Sequence, residues 1–245
     1  MRLAGLHVLN TRPVRQAAPL SQRLRSAGAQ VSELPLIAIT PLELSAAQRR
    51  LLLELDRYDG VFFISANAAR LGLDAVADCW PQWPHRLPAF AIGERTARVL
   101  RDAGLAVTVP AQADSEGLLT LPELQAVQDR RFLLFRGVGG RELLADTLRV
   151  RGATLDVLEL YRRELPAAAA PQWQALQQSG MPDVVILTSP DALRHWQQVA
   201  GVAAMVPLWL VASPRMQALA AAAGARVQLA GGADEDSLLD ALACT

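Results

Sequence analysis

The 245-residue sequence is poor in cysteine and histidine, has no surplus charge, and contains no long apolar run. Its 24 basic and 24 acidic residues cancel, so it lacks the basic excess typical of nucleic-acid-binding proteins. Two cysteines, Cys79 and Cys244, and three histidines, His7, His85 and His195, show no spacing typical of a disulfide framework or a metal site. No uncharged apolar stretch reaches the ~18 residues of a membrane helix. We therefore expect no metal, no membrane and no nucleic-acid partner.

Nucleotide and hydrolase motifs are also missing. Gly137-Val-Gly139-Gly140 follows an apolar run, but it lacks the GxGxxG spacing and the acidic residue about twenty positions later that mark a dinucleotide site. There is no Walker lysine, and no serine has both the flanking glycines and the histidine partner of a hydrolase. These absences argue against a nucleotide cofactor and a nucleophile triad.

What the sequence does contain is an internal repeat. The segment VFFISANAAR, residues 61–70, reappears as VILTSPDALR, residues 185–194, so that Ser65 corresponds to Ser189. In the same register Gly28 corresponds to Gly152, and Asp114 corresponds to Asp234 after the offset shortens. Such a duplication predicts two similar lobes, and a cleft between similar lobes is a common ligand site.

Each copy alternates short apolar runs with amphipathic helices, which predicts a parallel sheet covered on both faces. Five such units per copy favour a flavodoxin-like open sheet, whose ligands bind beyond the carboxyl ends of the strands. The predicted strands are Leu6–Asn10, Gln30–Leu34, Gly60–Ile64, Ala89–Ile92, Ala106–Val109, Phe132–Phe135, Thr154–Leu158, Val184–Leu187, Leu208–Val211 and Arg226–Leu229.

Polar turns follow six of these strands and precede predicted helices. Such a turn offers free backbone N–H groups, a hydroxyl cap and often a guanidinium, which together can bind an anion. In the simpler alternative the serines only cap helices and the arginines are only solvated. Repetition in register across two lobes favours a cleft that collects several negative groups. The turns are Thr11–Pro13, Ser65–Asn67, Gly93–Thr96, Arg136–Arg141, Thr188–Pro190 and Ser213–Arg215.

The order of motifs along essentially the whole chain adds a family resemblance. These motifs are Thr11-Arg12-Pro13, Asp59–Asn67, Ala91–Ala97, Ser115–Leu119, the segment from Arg136-Gly137 to Gly152, Leu160-Tyr161 and Thr188-Ser189. In this order they resemble the uroporphyrinogen-III synthase family. The chain departs from the family at Ser213-Pro214-Arg215-Met216, where a second Gly-x-x-Thr turn is common.

The resemblance implies an architecture of two flavodoxin-like α/β domains in which the chain crosses between the lobes twice. One domain would combine residues 1–37 with 165–245, and residues 40–160 would form an inserted domain. Each connecting segment, 36–41 and 158–166, ends at a proline that blocks helix continuation. We expect the two segments to pair as a two-stranded hinge beside an interdomain cleft.

The resemblance also implies an activity, the cofactor-free cyclisation of hydroxymethylbilane to uroporphyrinogen III with loss of water and inversion of ring D. The substrate carries eight carboxylates, which suits anion-collecting turns. Tyr161 is implied as general acid or substrate orienter, although a tyrosine packed at the domain junction is the alternative. The implied substrate-binding residues are Thr11, Arg12, Ser65, Ala66, Asn67, Gly93, Thr96, Arg136, Gly137, Arg141, Ser189, Ser213 and Arg215.

Several further expectations concern partners and competing functions. We expect a cytoplasmic monomer that receives its small-molecule substrate by transient hand-over from hydroxymethylbilane synthase. A non-catalytic two-lobed binding protein for a small anionic ligand is the alternative from another class. A nucleotide-sugar transferase with two Rossmann-like lobes is less favoured, because no acidic ribose contact is found.

Overall fold

The computed structural model describes residues 3–243, so Cys244 lies outside the described part of the chain. Its contacts divide the protein into two compact units. The terminal unit contains the chain up to Ala38 and from Arg163 onwards, and the inserted unit runs from Ile39 to Arg162. Among the described residues, no helix is long and apolar enough to cross a membrane.

Eleven strands form the two sheets within the described residues. They are β1 (His7–Asn10), β2 (Gln30–Glu33), β3 (Ala38–Pro41), β4 (Gly60–Phe63), β5 (Ala89–Ala91), β6 (Val107–Thr108), β7 (Arg131–Gly137), β8 (Thr154–Glu164), β9 (Val184–Leu187), β10 (Leu208–Val211) and β11 (Val227–Leu229).

Ten α-helices and three short 3₁₀ turns connect these strands. The helices are α1 (Val14–Ser26), α2 (Ala46–Leu53), α3 (Ala66–Ala77), α4 (Glu94–Asp102), α5 (Ser115–Leu119), α6 (Leu143–Val150), α7 (Ala169–Gln178), α8 (Pro190–Ala200), α9 (Pro214–Ala222) and α10 (Glu235–Leu242). The 3₁₀ turns span Leu55–Arg57, Pro122–Leu124 and Gly201–Met205.

The sheet of the terminal unit has the strand order β11-β10-β9-β1-β2. All four of its strand pairs are parallel. This is the flavodoxin order, and the direction of the strand order reverses between β1 and β9. Its core includes Val8, Leu20, Ile186, Leu210 and Leu238, which join the sheet to α1 and α10.

The inserted unit has the order β3-β8-β7-β4-β5-β6. Its β4, β5, β6, β7 and β8 pair in parallel. Two apolar layers cover the sheet. One lies under α3 and contains Phe63, Phe135 and Leu160, and the other lies under α5 and α6 and contains Phe62 and Phe132.

The predicted fold class is confirmed, and all ten predicted strands are present. Val184–Leu187 and Leu208–Val211 have the predicted bounds, and the other strands differ by one or two residues at an end, apart from the end of β8. The larger difference is β8, which runs on to Glu164, and β3, which the sequence indicated only as an extended crossing. These two segments lie side by side in the sheet. Apart from β3, the terminal unit contains two strands of the first sequence copy (β1 and β2) and three of the second (β9, β10 and β11). The inserted unit contains three strands of the first copy (β4, β5 and β6) and two of the second (β7 and β8).

Candidate functional site

The carboxyl ends of β4 and β7 meet at the point where the strand order of the inserted unit reverses. The two strands are neighbours in register, with Phe63 opposite Phe135. The turn that begins at Ser65 follows β4, and residues 138–141 of the predicted glycine-rich turn follow β7. Its first two residues, Arg136 and Gly137, belong to β7 itself. This is the position at which open α/β sheets bind ligands. Two of the six predicted turns are therefore brought together here.

Ser65 and Tyr161 form a hydroxyl pair at this edge. Ser65 is the N-cap of α3, and its Oγ accepts a hydrogen bond from the backbone N–H of Ala68 at 3.0 Å. The same Oγ lies 2.9 Å from Tyr161 Oη. Tyr161 is only 1% exposed, whereas Ser65 is partly exposed. The serine is thus the outer member of the pair and the tyrosine is the inner one.

A β-bulge turns Tyr161 towards α3. Arg136 pairs with Glu159 and Gly137 with Tyr161, so one extra residue, Leu160, is accommodated in β8. Side chains alternate between the faces of a strand, and an extra residue reverses the alternation beyond it. Leu160 and Tyr161 consequently pack in the same apolar layer under α3. Without the bulge, Tyr161 would face α5 and α6.

Gly137 provides the space for the tyrosine ring. A Cβ atom on Gly137 would lie 2.6 Å from Tyr161 Cζ and 2.7 Å from Cε2. The backbone N–H of Val138 donates to the carbonyl oxygen of Tyr161 at 2.7 Å, which ties the glycine-rich turn to β8. The sequence singled out Gly137 as part of a binding turn, and here its lack of a side chain admits the ring.

The two arginines of the glycine-rich turn differ in their surroundings. The side chain of Arg136 is 11% exposed and pairs with Glu142 at 2.6 Å and with Glu159 at 3.1 Å. Arg141 is exposed and pairs with Glu116 at 2.8 Å. Exposed ion pairs contribute little to stability and exchange readily. Arg141 is therefore the better placed of the two to take up an external carboxylate.

The other predicted residues of the inserted unit lie at the starts of α3 and α4. Ala66 opens α3, and Asn67 Oδ1 accepts from the Arg70 guanidinium at 2.6 Å. Gly93 caps α4 in an extended conformation, and a Cβ there would lie 2.8 Å from the Cβ of Ala113. Thr96 is 3% exposed on the inner side of α4. Close packing explains Gly93 without a ligand.

In the terminal unit, the turn after β1 is buried and bonded to its own sheet. Thr11 Oγ1 donates to the carbonyl oxygen of Ile186 at 2.5 Å, next to the sheet reversal between β1 and β9. Arg12 is 8% exposed, and its backbone N–H donates to Asn10 Oδ1 at 3.2 Å. Asn10, which sequence reasoning missed, also donates to Ser21 Oγ at 3.0 Å. A lone asparagine that ends an apolar strand is the signal that could have found it.

Ser189 and Ser213 cap α8 and α9, accepting from Ala192 N–H at 3.2 Å and Met216 N–H at 3.4 Å. Arg215 follows in the first turn of α9 and is exposed. In the repeat, Ser189 corresponds to Ser65, but the position that corresponds to Tyr161 holds Ile37. The hydroxyl pair is therefore specific to the inserted unit.

A second polar network, also missed from sequence, lies at the opposite end of the inserted sheet. Tyr58 Oη donates to Asp156 Oδ2 at 2.8 Å, and Arg131 binds Asp156 at 2.8 Å and Glu54 at 3.0 Å. The Arg131 guanidinium also covers the Tyr58 ring, 4.5 Å from its centroid. Burial, followed by the hydrogen bond to Asp156, raises the pKa of the Tyr58 phenol. These groups satisfy one another, so the network fastens β7 and β8 rather than binding a ligand.

A cavity of about 730 Å³ lies between α1 and α10 of the terminal unit. Arg23, Glu235 and Asp236 are among its lining residues, and Arg23 pairs with both carboxylates. None of the predicted turns contributes to the lining. Its mixed charge gives no preference for a polyanion, so the carboxyl ends of the strands remain the candidate site.

Comparison with known proteins gives a consistent result. The family model described as uroporphyrinogen-III synthase HemD matches residues 18–240. Uroporphyrinogen-III synthase of Escherichia coli K12 is 33% identical over 97% of this chain and 100% of its own length. The enzyme of Proteus mirabilis is 38% identical over 64% of this chain and 80% of its own.

Solved structures agree in fold. A mutant uroporphyrinogen III synthase from Thermus thermophilus superposes with a TM-score of 0.67 at 16% identity, covering 96% of both chains. The Helicobacter pylori uroporphyrinogen-III synthetase gives a TM-score of 0.63 at 17% identity, covering 96% of this chain and 97% of that chain. Together with the sequence matches over nearly the whole length, these findings show that the chain belongs to the uroporphyrinogen-III synthase family.

Proposed function

We propose that this protein cyclises hydroxymethylbilane to uroporphyrinogen III, with loss of water and inversion of ring D. The observation that carries the proposal is the family match across residues 18–240. The hydroxyl pair of Ser65 and Tyr161 supports it, because departure of the hydroxymethyl oxygen as water needs a proton donor. In this reading the protein is a hydro-lyase.

The proposed reaction takes up one proton and releases one proton, so it needs no other reactant. The carbon–oxygen bond of the hydroxymethyl group breaks as the oxygen takes up a proton and leaves as water, which creates an azafulvenium. The substituted carbon of ring D attacks this cation, and the resulting spiro intermediate fragments and recloses with the ring inverted. A ring carbon finally releases a proton, so the protein recovers the one that it gave.

Selectivity requires conformational control of the bound chain. Closure at the less crowded carbon would give the uninverted isomer, so the protein must hold ring D with its substituted carbon against the cation. Such positioning contributes through proximity and orientation. Helix N-termini capped by Ser65, Ser189 and Ser213 supply N–H groups that can hold the substrate carboxylates.

Guanidinium groups are the only basic side chains besides histidine, since the sequence contains no lysine. Arginine binds a carboxylate through two parallel hydrogen bonds, which fixes its orientation better than an ammonium does. Arg141 and Arg215 are exposed, so their guanidinium groups can give up their present contacts and bind a substrate carboxylate. Arg12 and Arg136 are largely buried, and we assign them to shaping the turns around the substrate.

We infer that no cofactor takes part, because the reaction has no net redox change and its charge changes can be met by hydroxyl and N–H donors. The cytoplasmic location, the monomeric state and the hand-over from hydroxymethylbilane synthase remain predictions from the sequence.

The decisive experiment supplies freshly generated hydroxymethylbilane and separates the oxidised type I and type III isomers. We expect mainly type III product with the protein and mainly type I without it. Activity should persist after dialysis against EDTA. Only type I product would refute the proposed activity, and loss of activity that an added metal restores would refute the cofactor-free reaction alone.

A further inference from the structure

The geometry points to a two-hydroxyl relay in which Ser65, not Tyr161, contacts the substrate. We propose that Ser65 passes a proton to the departing hydroxyl group while Tyr161 passes its own proton to Ser65. This inference rests on the proposed function and assigns the proton donor within the same site. Ser65 is then the catalytic residue, and Tyr161 is a positioning residue and proton source that acts through it.

The hydrogen-bond capacity of Ser65 allows a relay directed from Tyr161 to Ser65. A serine hydroxyl has one donor and two acceptor positions. The N–H of Ala68 occupies one acceptor position of Ser65 Oγ. Tyr161 is 1% exposed, so its hydroxyl proton must find an acceptor inside the protein, and Ser65 Oγ at 2.9 Å is such an acceptor. With Tyr161 as the donor of this hydrogen bond, both acceptor positions of Ser65 Oγ are filled and its proton can be donated outwards.

The relay places the developing charge on the better group. If serine donated its proton alone, it would become an alkoxide, which is an unfavourable product of proton donation. In the relay, the Ser65 O–H bond breaks towards the leaving oxygen as the Tyr161 O–H bond breaks towards Ser65. Ser65 ends neutral, and the negative charge rests on the Tyr161 phenolate, where the aromatic ring delocalises it. The proton released when ring D closes returns along the same path.

Three features of the inserted unit assemble this pair. The bulge at Leu160 turns Tyr161 to the α3 face, Gly137 leaves room for its ring, and the cap of α3 fixes Ser65. The positive end of the twelve-residue α3 favours a transient negative charge nearby. The terminal unit has the equivalent serine but isoleucine in place of the tyrosine, so a helix cap alone does not require the pair.

A double-mutant cycle tests the relay. Ser65→Ala, Tyr161→Phe and the double variant are assayed with hydroxymethylbilane for kcat, KM and isomer ratio. If the two hydroxyls act in series, each single variant lowers kcat by on the order of 10²–10⁴-fold, and the double variant is no worse than either. Multiplying effects, or near-native kcat in Ser65→Ala, would overturn the relay. Ser65→Thr, which keeps a capping hydroxyl, should restore part of the rate.

Controls separate the relay from helix capping. Ser45 caps α2 in the same unit with an equivalent bond to Gln48 N–H, so Ser45→Ala should reproduce the loss of stability and leave kcat unchanged. If Ser65→Ala proves too unstable, Ser65→Gly removes the hydroxyl at a smaller capping cost, because glycine is a better N-cap residue than alanine.

Nuclear magnetic resonance of protein labelled at tyrosine Cζ tests the hydrogen bond without substrate. The chain has two tyrosines, so Tyr58→Phe assigns the signals. Ser65→Ala should shift the Tyr161 signal, and Ser45→Ala should not. An unmoved Tyr161 signal would overturn the pair. If the wild-type protein made no type III product, that result would instead refute the proposed function, and the relay would be refuted with it.

Discussion

Gly137→Ala is the substitution that most directly tests why a glycine ends β7. The new Cβ would lie 2.6 Å from Tyr161 Cζ, whereas ordinary van der Waals contact begins at 3.4 Å. The ring must therefore move by about 0.8 Å, the difference between these distances. The backbone of Gly137 is paired with β8, so the ring is the part that yields.

The expected consequence is a loss of both stability and rate. Overpacking of this kind costs about 1–3 kcal/mol in the free energy of unfolding. A shift approaching 1 Å in a reacting group can cost about 100-fold in rate. Since the Ser65–Tyr161 separation is 2.9 Å, a ring displaced by most of an ångström no longer holds that hydrogen bond in good geometry.

The matched control is Gly60→Ala at the start of β4. Its Cβ would lie 2.8 Å from Phe90 Cε2, a similar overlap at the opposite edge of the sheet, on the strand next to β7. Urea unfolding and kcat per folded molecule are measured for both variants. Gly60→Ala should lose comparable stability and keep its kcat. A Gly137→Ala protein with native kcat and an unshifted Tyr161 Cζ signal would refute the reasoning.

Three other predictions address binding, architecture and pH. Arg215→Ala should raise KM more than it lowers kcat, because a uniformly bound carboxylate is lost, and Arg226→Ala in the same unit should change neither; equal effects of the two variants would contradict this. A fragment of residues 38–163 should give a cooperative thermal melt and dispersed amide signals, and a molten fragment would argue against an independently folding inserted unit. Folding raises the pKa of the Tyr58 phenol, so the stability that this phenol contributes is complete below its ordinary value of 10.0 and is lost as pH rises through the raised value. Urea melts at pH 9 and pH 11 should therefore show a larger fall for wild type than for Tyr58→Phe, and parallel falls would rule out this linkage.

Local sequence information was sufficient for ten of the eleven strands in the described residues and for the helix caps. Apolar runs such as Val184–Leu187 are buried strands because their residues have no other way to leave water. Ser65, Ser189 and Ser213 begin helices because a side-chain oxygen satisfies a free N–H of the first turn. The repeat supported each of these assignments at two places in the chain. The order of the motifs along the chain indicated the family.

Tertiary structure decided which of these turns share a site and how their side chains face. Periodicity alone would place Tyr161 on the face of β8 opposite Leu160, and only the pairing with β7 reveals the bulge that reverses it. The adjacent apolar residues Leu160 and Tyr161 hint at such an irregularity, but a broken alternation does not say where the extra residue lies. Likewise, the sequence marks Gly137 as part of an anion-binding turn, while the structure shows a position where a methyl group would meet the tyrosine ring. Caps and strands are set by neighbours along the chain, whereas the hydroxyl pair depends on register between strands that are distant in sequence.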